Sequence, residues 1–204
     1  MSFPDASRFR RFLAQPYGDA RAALIVQHAQ ERYDELCSQP PRETNRAAWT
    51  HIERIIFPGL ALYQALLTQG NSREEAFARV QAIEAELVRG RQGVAVKMLK
   101  RIPRPFSFFR LSLRLQMQTM FPSGYWGTEW LEDSPRRIAF NMTRCFYLDT
   151  LTRYGAPELT PAFCNTDDVL GDMLAPVVRF KRTGTLARGN PVCDFCYTDG
   201  KASS

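Results

Sequence analysis

Val177-Val-Arg-Phe-Lys-Arg-Thr-Gly-Thr-Leu186, with Ala187-Arg-Gly-Asn-Pro191 and Val192-Cys-Asp-Phe-Cys-Tyr197 after it, is the stretch on which the fold class turns. Arg179 and Lys181 alternate with Val178 and Phe180, the period of two expected of a strand with one buried face. Arg188-Gly189-Asn190-Pro191 is made of turn residues. The segment therefore predicts two antiparallel strands, 177–186 and 192–197, joined through a Gly-Asn turn. Two more strand candidates precede it. Residues 124–131 are aromatic and alternating between turn residues, and 136–142 form a short apolar run. Between the pairs, residues 145–154 read as a helix that stops at Gly155.

Upstream of Pro122 the period changes to that of helices. Residues 20–37 carry an apolar stripe that Pro40-Pro41 ends, because proline lacks the amide donor and clashes with the preceding turn. Asn45 caps a second helix from Arg46 toward Gln69, with Pro58-Gly59 expected to kink or split it and Gly70 to stop it. Ser72-Arg-Glu-Glu75 is a capping box for a third helix, on which Ala76, Val80, Ile83 and Leu87 recur at helical spacing. Gly90 and Gly93 break that pattern. A further helix crosses residues 106–120. The expected fold is α+β: one domain over 1–204, with a mostly helical part over 1–121 packed against a small C-terminal antiparallel sheet. An α+β part over 122–198 holds the site, and 199–204 form a loose tail.

Composition limits the function. The chain has 204 residues, 45% of them hydrophobic, which is enough for a substantial core. The formal charge of +6 favours anionic partners. The densest cations are Lys97, Lys100, Arg101, Arg104, Arg110 and Arg114, interleaved with Phe106, Phe108 and Phe109. This pattern reads as a solvated helix face over a core face, and no nucleic-acid motif or phosphate-cradling glycine loop accompanies it. No stretch approaches the about 20 apolar residues that span a bilayer, and Met-Ser-Phe-Pro-Asp-Ala-Ser-Arg is not a secretory signal. The expectation is a cytoplasmic protein with a small-molecule substrate, no nucleic-acid or membrane partner and no cofactor.

Cys37, Cys145, Cys164, Cys193 and Cys196 are five in number, and four lie in the last third. An odd count without an export signal predicts free thiols. Cys193 and Cys196 form a CxxC, but three residues apart in a strand they point to opposite faces, and Cys145 and Cys164 lack pair spacing, so no metal is expected. His28 and His51 read as surface or core residues of helices. Asp194, inside an apolar strand, needs partners, either at a turn or in an arginine such as Arg179, Arg182 or Arg144. Trp126, Trp130 and Tyr125 read as core that can wall a small pocket.

One ordered set of motifs remains. Phe140-Asn-Met-Thr-Arg-Cys145 is followed by Tyr154-Gly-Ala-Pro-Glu-Leu159 and Cys164-Asn-Thr-Asp167. Then come Arg179-Phe-Lys-Arg-Thr-Gly-Thr-Leu-Ala-Arg-Gly189 and Cys193-Asp-Phe195. Together with Leu60-Ala-Leu-Tyr-Gln-Ala-Leu66 and Ser72-Arg-Glu-Glu-Ala76, this order resembles the L-2-amino-thiazoline-4-carboxylic acid hydrolase family from about residue 50 onward. The resemblance implies ring opening of a cyclic isothiourea. Water adds to the carbon between nitrogen and sulfur, and S-carbamoyl-L-cysteine results.

That reaction needs a nucleophile or activated water, an anion to hold the amidine N–H groups, and a cation for the substrate carboxylate. Cys145 or Cys164 can supply a thiolate. Asp167 or Asp168 can face the amidinium and move a proton. Arg179 or Arg182 can clamp a carboxylate, with Arg144 beside Cys145. Asn141 and Thr183 are the side-chain donors, the 179–185 segment with Thr185 shapes the pocket, and Cys193, Asp194 and Phe195 form a structural motif. Cys145, Cys164 and Asp167 are the expected catalytic residues. The alternatives are a biosynthetic enzyme with another small substrate and a non-catalytic small-molecule-binding domain.

Overall fold

A computed structural model describes residues 3–38 and 45–201. The Pro40-Pro41 break lies outside them. Helix α1 (Ala6–Tyr17) packs on α2 (Asp19–Ser38). Asn45 caps α3 (Arg46–His51), its side-chain oxygen accepting from the amides of Ala47 and Ala48. Pro58 does not break the helix that follows. A π-helical stretch, Ile52–Ile56, widens the coil just before it and leads into α4 (Phe57–Thr68). Pro58 then falls in the first turn of α4, where its missing N–H costs nothing.

Helix α5 (Arg73–Leu99) opens on the expected capping box. The Glu75 amide donates to Ser72 Oγ, and the Ser72 amide to the Glu75 carboxylate. Ala76, Val80, Ile83 and Leu87 are all buried. Gly90 and Gly93 do not stop it. Each weakens a helix interior by about 1 kcal/mol, and the burial of Val96 and Leu99 beyond them outweighs that cost. Helix α6 (Pro105–Met120) follows.

The sheet contains β1 (Gly127–Asp133), β2 (Arg137–Arg144), β3 (Val178–Lys181) and β4 (Cys193–Asp199) in the order β1-β2-β4-β3, all antiparallel. Between β2 and β3 run α7 (Phe146–Arg153) and α8 (Thr160–Leu174); the sequence pattern did not announce α8. The α+β expectation holds, helices first and a small sheet second. Two details differ. Strands β3 and β4 pair, but β3 ends at Lys181, so residues 182–192 form a wide loop with a 3-10 turn (Leu186–Arg188) instead of a tight Gly-Asn hairpin. The cause is Asp194, whose carboxylate captures backbone amides from the far side of that loop, as described below. At the other end β4 continues through Asp199, two residues beyond the expected strand, and the Gly200 amide donates to the Val177 carbonyl.

One sheet face is apolar and carries the helices. Ile138 opposes Tyr197 and Phe140 opposes Phe195 in register. The last pair stacks at 5.0 Å with planes 4° apart. Helix α8 lies against this face because Gly171 lets it: a Cβ there would stand 2.6 Å from Phe180 Cδ1. On its other side, Gly59 of α4 admits Phe163 equally closely, a Cβ there lying 2.6 Å from the ring. Helix α8 is thus wedged between the helical layer and the sheet. One continuous buried cluster runs from Leu13 and Ile25 through Leu60 and Ile83 to Phe140 and Tyr197. Among the described residues, no helix is long and apolar enough to cross a membrane.

Candidate functional site

The wedged helix α8 carries Cys164, Asp167 and Asp168 on one surface, one turn apart. Arg182, in the loop after β3, reaches across to them. Its Nη1 donates to Asp167 Oδ2 at 2.8 Å, and its Nη2 to Asp168 Oδ2 at 2.8 Å and to the Cys164 carbonyl at 3.0 Å. Its guanidinium lies over Phe195 and Phe180, 5.3 and 5.7 Å from the ring centres. The Arg182 side chain is only 5% exposed. Two carboxylates and two aromatic rings are what allow a cation to be buried there.

Asp167 is 39% exposed, yet its pKa is raised to about 6. Desolvation is the main cause, opposed by the Arg182 charge and hydrogen bond. Water reaches this carboxylate while neighbouring protein desolvates part of it. The thiols of Cys164, Cys145 and Cys193 lie within electrostatic reach of one another there. Cys145 stands at the N-cap of α7 and Cys193 begins β4. Burial pushes Cys145 up to about 11, although the Leu148 and Tyr147 amides pull the other way. Burial and the Asp167 charge push Cys164 up to about 12. Cys193 is also raised by burial, and its sulfur accepts from the Leu186 amide at 3.2 Å. At neutral pH these sulfurs are thiols.

The remaining expected residues divide. Among the described residues, Asp194 pairs with none of Arg144, Arg179 and Arg182. Its carboxylate accepts from Thr183 N at 2.9 Å, Thr183 Oγ1 at 2.5 Å and Gly184 N at 2.6 Å. Burial would raise its pKa, but these bonds outweigh that and hold it low. The small backbone of a turn satisfies the carboxylate where a guanidinium would need far more room. Thr183 is therefore committed to Asp194, and the bond fixes the loop that carries Arg182. Thr185 is buried, with its amide bonded to Asn190 Oδ1 at 3.1 Å and its hydroxyl unpaired. Phe195 lies under the Arg182 guanidinium.

Asn141 opposes Asp194 and Glu129, on the sheet face away from Phe140 and Phe195 and so away from α8. Arg179 shares that outer face and donates to the Gly200 carbonyl. Arg144 lies at the surface, bonded to Asp149 at 2.7 Å and to the Gly124 carbonyl at 2.8 Å. Cys193 and Cys196 do point apart: Cys193 is buried, and Cys196 accepts from Arg137 Nε at 3.3 Å.

Three further polar residues, Tyr147 and the buried His51 and Glu84, are not among the expected site residues. Tyr147, raised by desolvation, lies within the fields of Glu84, Cys145 and Asp167. Its hydroxyl meets His51 Nδ1 at 2.8 Å, while His51 Nε2 meets the Met120 carbonyl at 3.0 Å. Glu84 is 3% exposed and raised to about 8 by burial. It had a signal: between Ile83 and Leu87 it occupies the apolar stripe of α5, where a carboxylate is out of place. Tyr147, on a two-turn helix, had none. Two surface hollows of about 320 and 330 Å³ lie elsewhere. One is beside Phe12, Ala82 and Asn165, the other beside Met117, Phe121 and Trp130.

A search of curated proteins finds no match to the chain. Residues 49–197 match the family of L-2-amino-thiazoline-4-carboxylic acid hydrolases, a span that includes Cys145, Cys164, Asp167, Arg182 and Cys193. With three thiols, a desolvated aspartate and its buried arginine drawn from α7, α8, β4 and the intervening loop, all inside that span, the chain belongs to the L-2-amino-thiazoline-4-carboxylic acid hydrolase family.

Proposed function

We propose that the chain hydrolyses the ring C–N bond of a small cyclic isothiourea or amidine, with 2-aminothiazoline-4-carboxylate as substrate and an S-carbamoyl-cysteine-type product. Water forms the new C–O bond at the carbon between nitrogen and sulfur. The C–N(ring) bond breaks, both water protons end on the released amine, and the C–S bond stays intact. The observation that carries the reading is Asp167: a water-accessible carboxylate raised to about 6 beside Cys164. A base of that pKa is ionised at neutrality and still basic enough to take a proton from attacking water. Asp168, half exposed and tied through one oxygen, presents its other oxygen to the amidine N–H groups. Arg182, fully engaged with protein acceptors, acts as a positioning residue for the two aspartates and not as the clamp for the substrate carboxylate.

A covalent route through Cys164 is the second reading, favoured by its closeness to Asp167. With the thiol raised to about 12, the proton must leave in the same step as attack. One assay separates the two. Purified chain is incubated with L-2-aminothiazoline-4-carboxylate and the carbamoyl product measured by mass spectrometry. Asp167→Asn is expected to lower kcat by about 10²–10⁴-fold. Cys164→Ser is expected to cost less than about tenfold if water attacks, and as much as Asp167→Asn if sulfur does. Full activity of Asp167→Asn would overturn both.

A further inference from the structure

Helix α6 is apolar on two sides. Phe106 and Met117 are buried and Phe109 and Leu113 partly so, which accounts for its attachment to the protein. On the outer side Phe108, Leu111 and Leu115, at helical spacing, are 61%, 61% and 62% exposed. The end of α5, which α6 contacts, adds Val94 and Met98 at 70% and 64%. Folding leaves this second stripe unused, whereas sequence reading assigned the outer face to solvated charge.

The charges that its own stretch of sequence contributes have one sign. Between Glu86 and Glu129 the sequence contains eight Lys and Arg and no Asp or Glu. Four are engaged: Arg89 with Glu86, Arg91 with Asp5, Arg110 and Arg114 with Asp133. The other four, Lys97, Lys100, Arg101 and Arg104, are exposed at the end of α5 and the connection to α6. They have no ion pair among the described residues.

We propose that this face, the outer side of α6 with the end of α5, docks on an anionic lipid bilayer, with α6 lying in the interface plane. An exposed Leu/Phe stripe flanked by unpaired cations is what such a surface takes up: apolar side chains enter the headgroup boundary while the cations meet lipid phosphates. A second copy of the chain fits poorly, since the four charges of the face without an ion pair among the described residues are all cations and would bring like charges together. Nucleic acid would use the cations but leave the apolar stripe in water.

The test is sedimentation of the full chain with vesicles of phosphatidylcholine alone and of phosphatidylcholine with phosphatidylglycerol. Binding is expected to the anionic vesicles only, weakening as salt rises. Lys97→Gln with Lys100→Gln should lower the apparent affinity about 30-fold, and Leu111→Ser with Leu115→Ser at least about tenfold. All four positions are exposed, and an unchanged thermal transition checks that the variants fold. The salt dependence of the wild-type chain reads the charge contribution without any variant. Equal uptake by both vesicles, or by neither, overturns the proposal. So does a concentration-dependent dimer in sedimentation equilibrium that the same leucine changes abolish, which would assign the face to a second copy.

Discussion

Asp167 is held between opposed effects. Desolvation raises its pKa and Arg182 lowers it, and the balance stands near 6. As the base of the proposed reaction it must be ionised. Activity should therefore climb as pH rises through about 6, a limb read from kcat/KM against pH. Glu84 has no ion pair among the described residues, and burial outweighs the more distant Arg91 charge to set its pKa near 8. Its sign for stability is the reverse of a salt-bridged carboxylate. Between the usual value of 4.5 and about 8 the folded chain keeps a proton that the unfolded chain has released. Stability therefore falls across that window as pH rises, by up to about 5 kcal/mol, and levels off above it. Glu84→Gln removes the titration. Urea unfolding at pH 5 and pH 8.5 should show the variant losing several kcal/mol less than wild type over that interval.

Among the elements, α8 depends most on its fit. It carries Cys164, Asp167 and Asp168, and it approaches β3 only because Gly171 has no side chain. Gly171→Ala would drive a methyl to 2.6 and 2.7 Å from Phe180 Cδ1 and Cβ, so the strand or the helix must move. Overpacking of this kind costs about 1–3 kcal/mol, outweighing the gain in helix propensity that alanine brings at an unstrained site. The expected result is a lower midpoint of thermal unfolding together with a fall in turnover, since the same shift displaces Asp167 relative to Arg182.

On the scale of the whole molecule, Arg182 joins the sheet's edge loop to the helix wedged between the two layers. It ties the loop after β3 to α8 and lies over the rings of Phe195 and Phe180. Arg182→Leu removes the cation and leaves Asp167 and Asp168 facing each other. A destabilisation of about 1–3 kcal/mol is expected, less than for a sealed pair because the carboxylates keep 39% and 50% of their exposure. Losing the opposing charge also lifts the Asp167 pKa further, so the rising limb of the pH profile should move upward from 6. A merely structural role for Arg182 predicts the stability loss without that shift.

Helix caps, turn glycines and strand alternation are local matters, so the sequence alone determined most elements: Asn45, Ser72, Gly70 and Gly155 act where they were expected to, and Val178–Lys181 pairs with the strand that follows. The order of family motifs was legible for the same reason. What only the tertiary structure decided is which face each side chain takes and what it finds there. Asn141 and Cys193 belong to paired strands but lie on opposite sides of one sheet. Gly90 and Gly93 stay helical because residues beyond them are buried. Asp194 takes backbone amides in place of an arginine, and a buried Glu84 comes to lie near Tyr147. Burial and long-range partners depend on how elements pack, and local spacing carries no record of that.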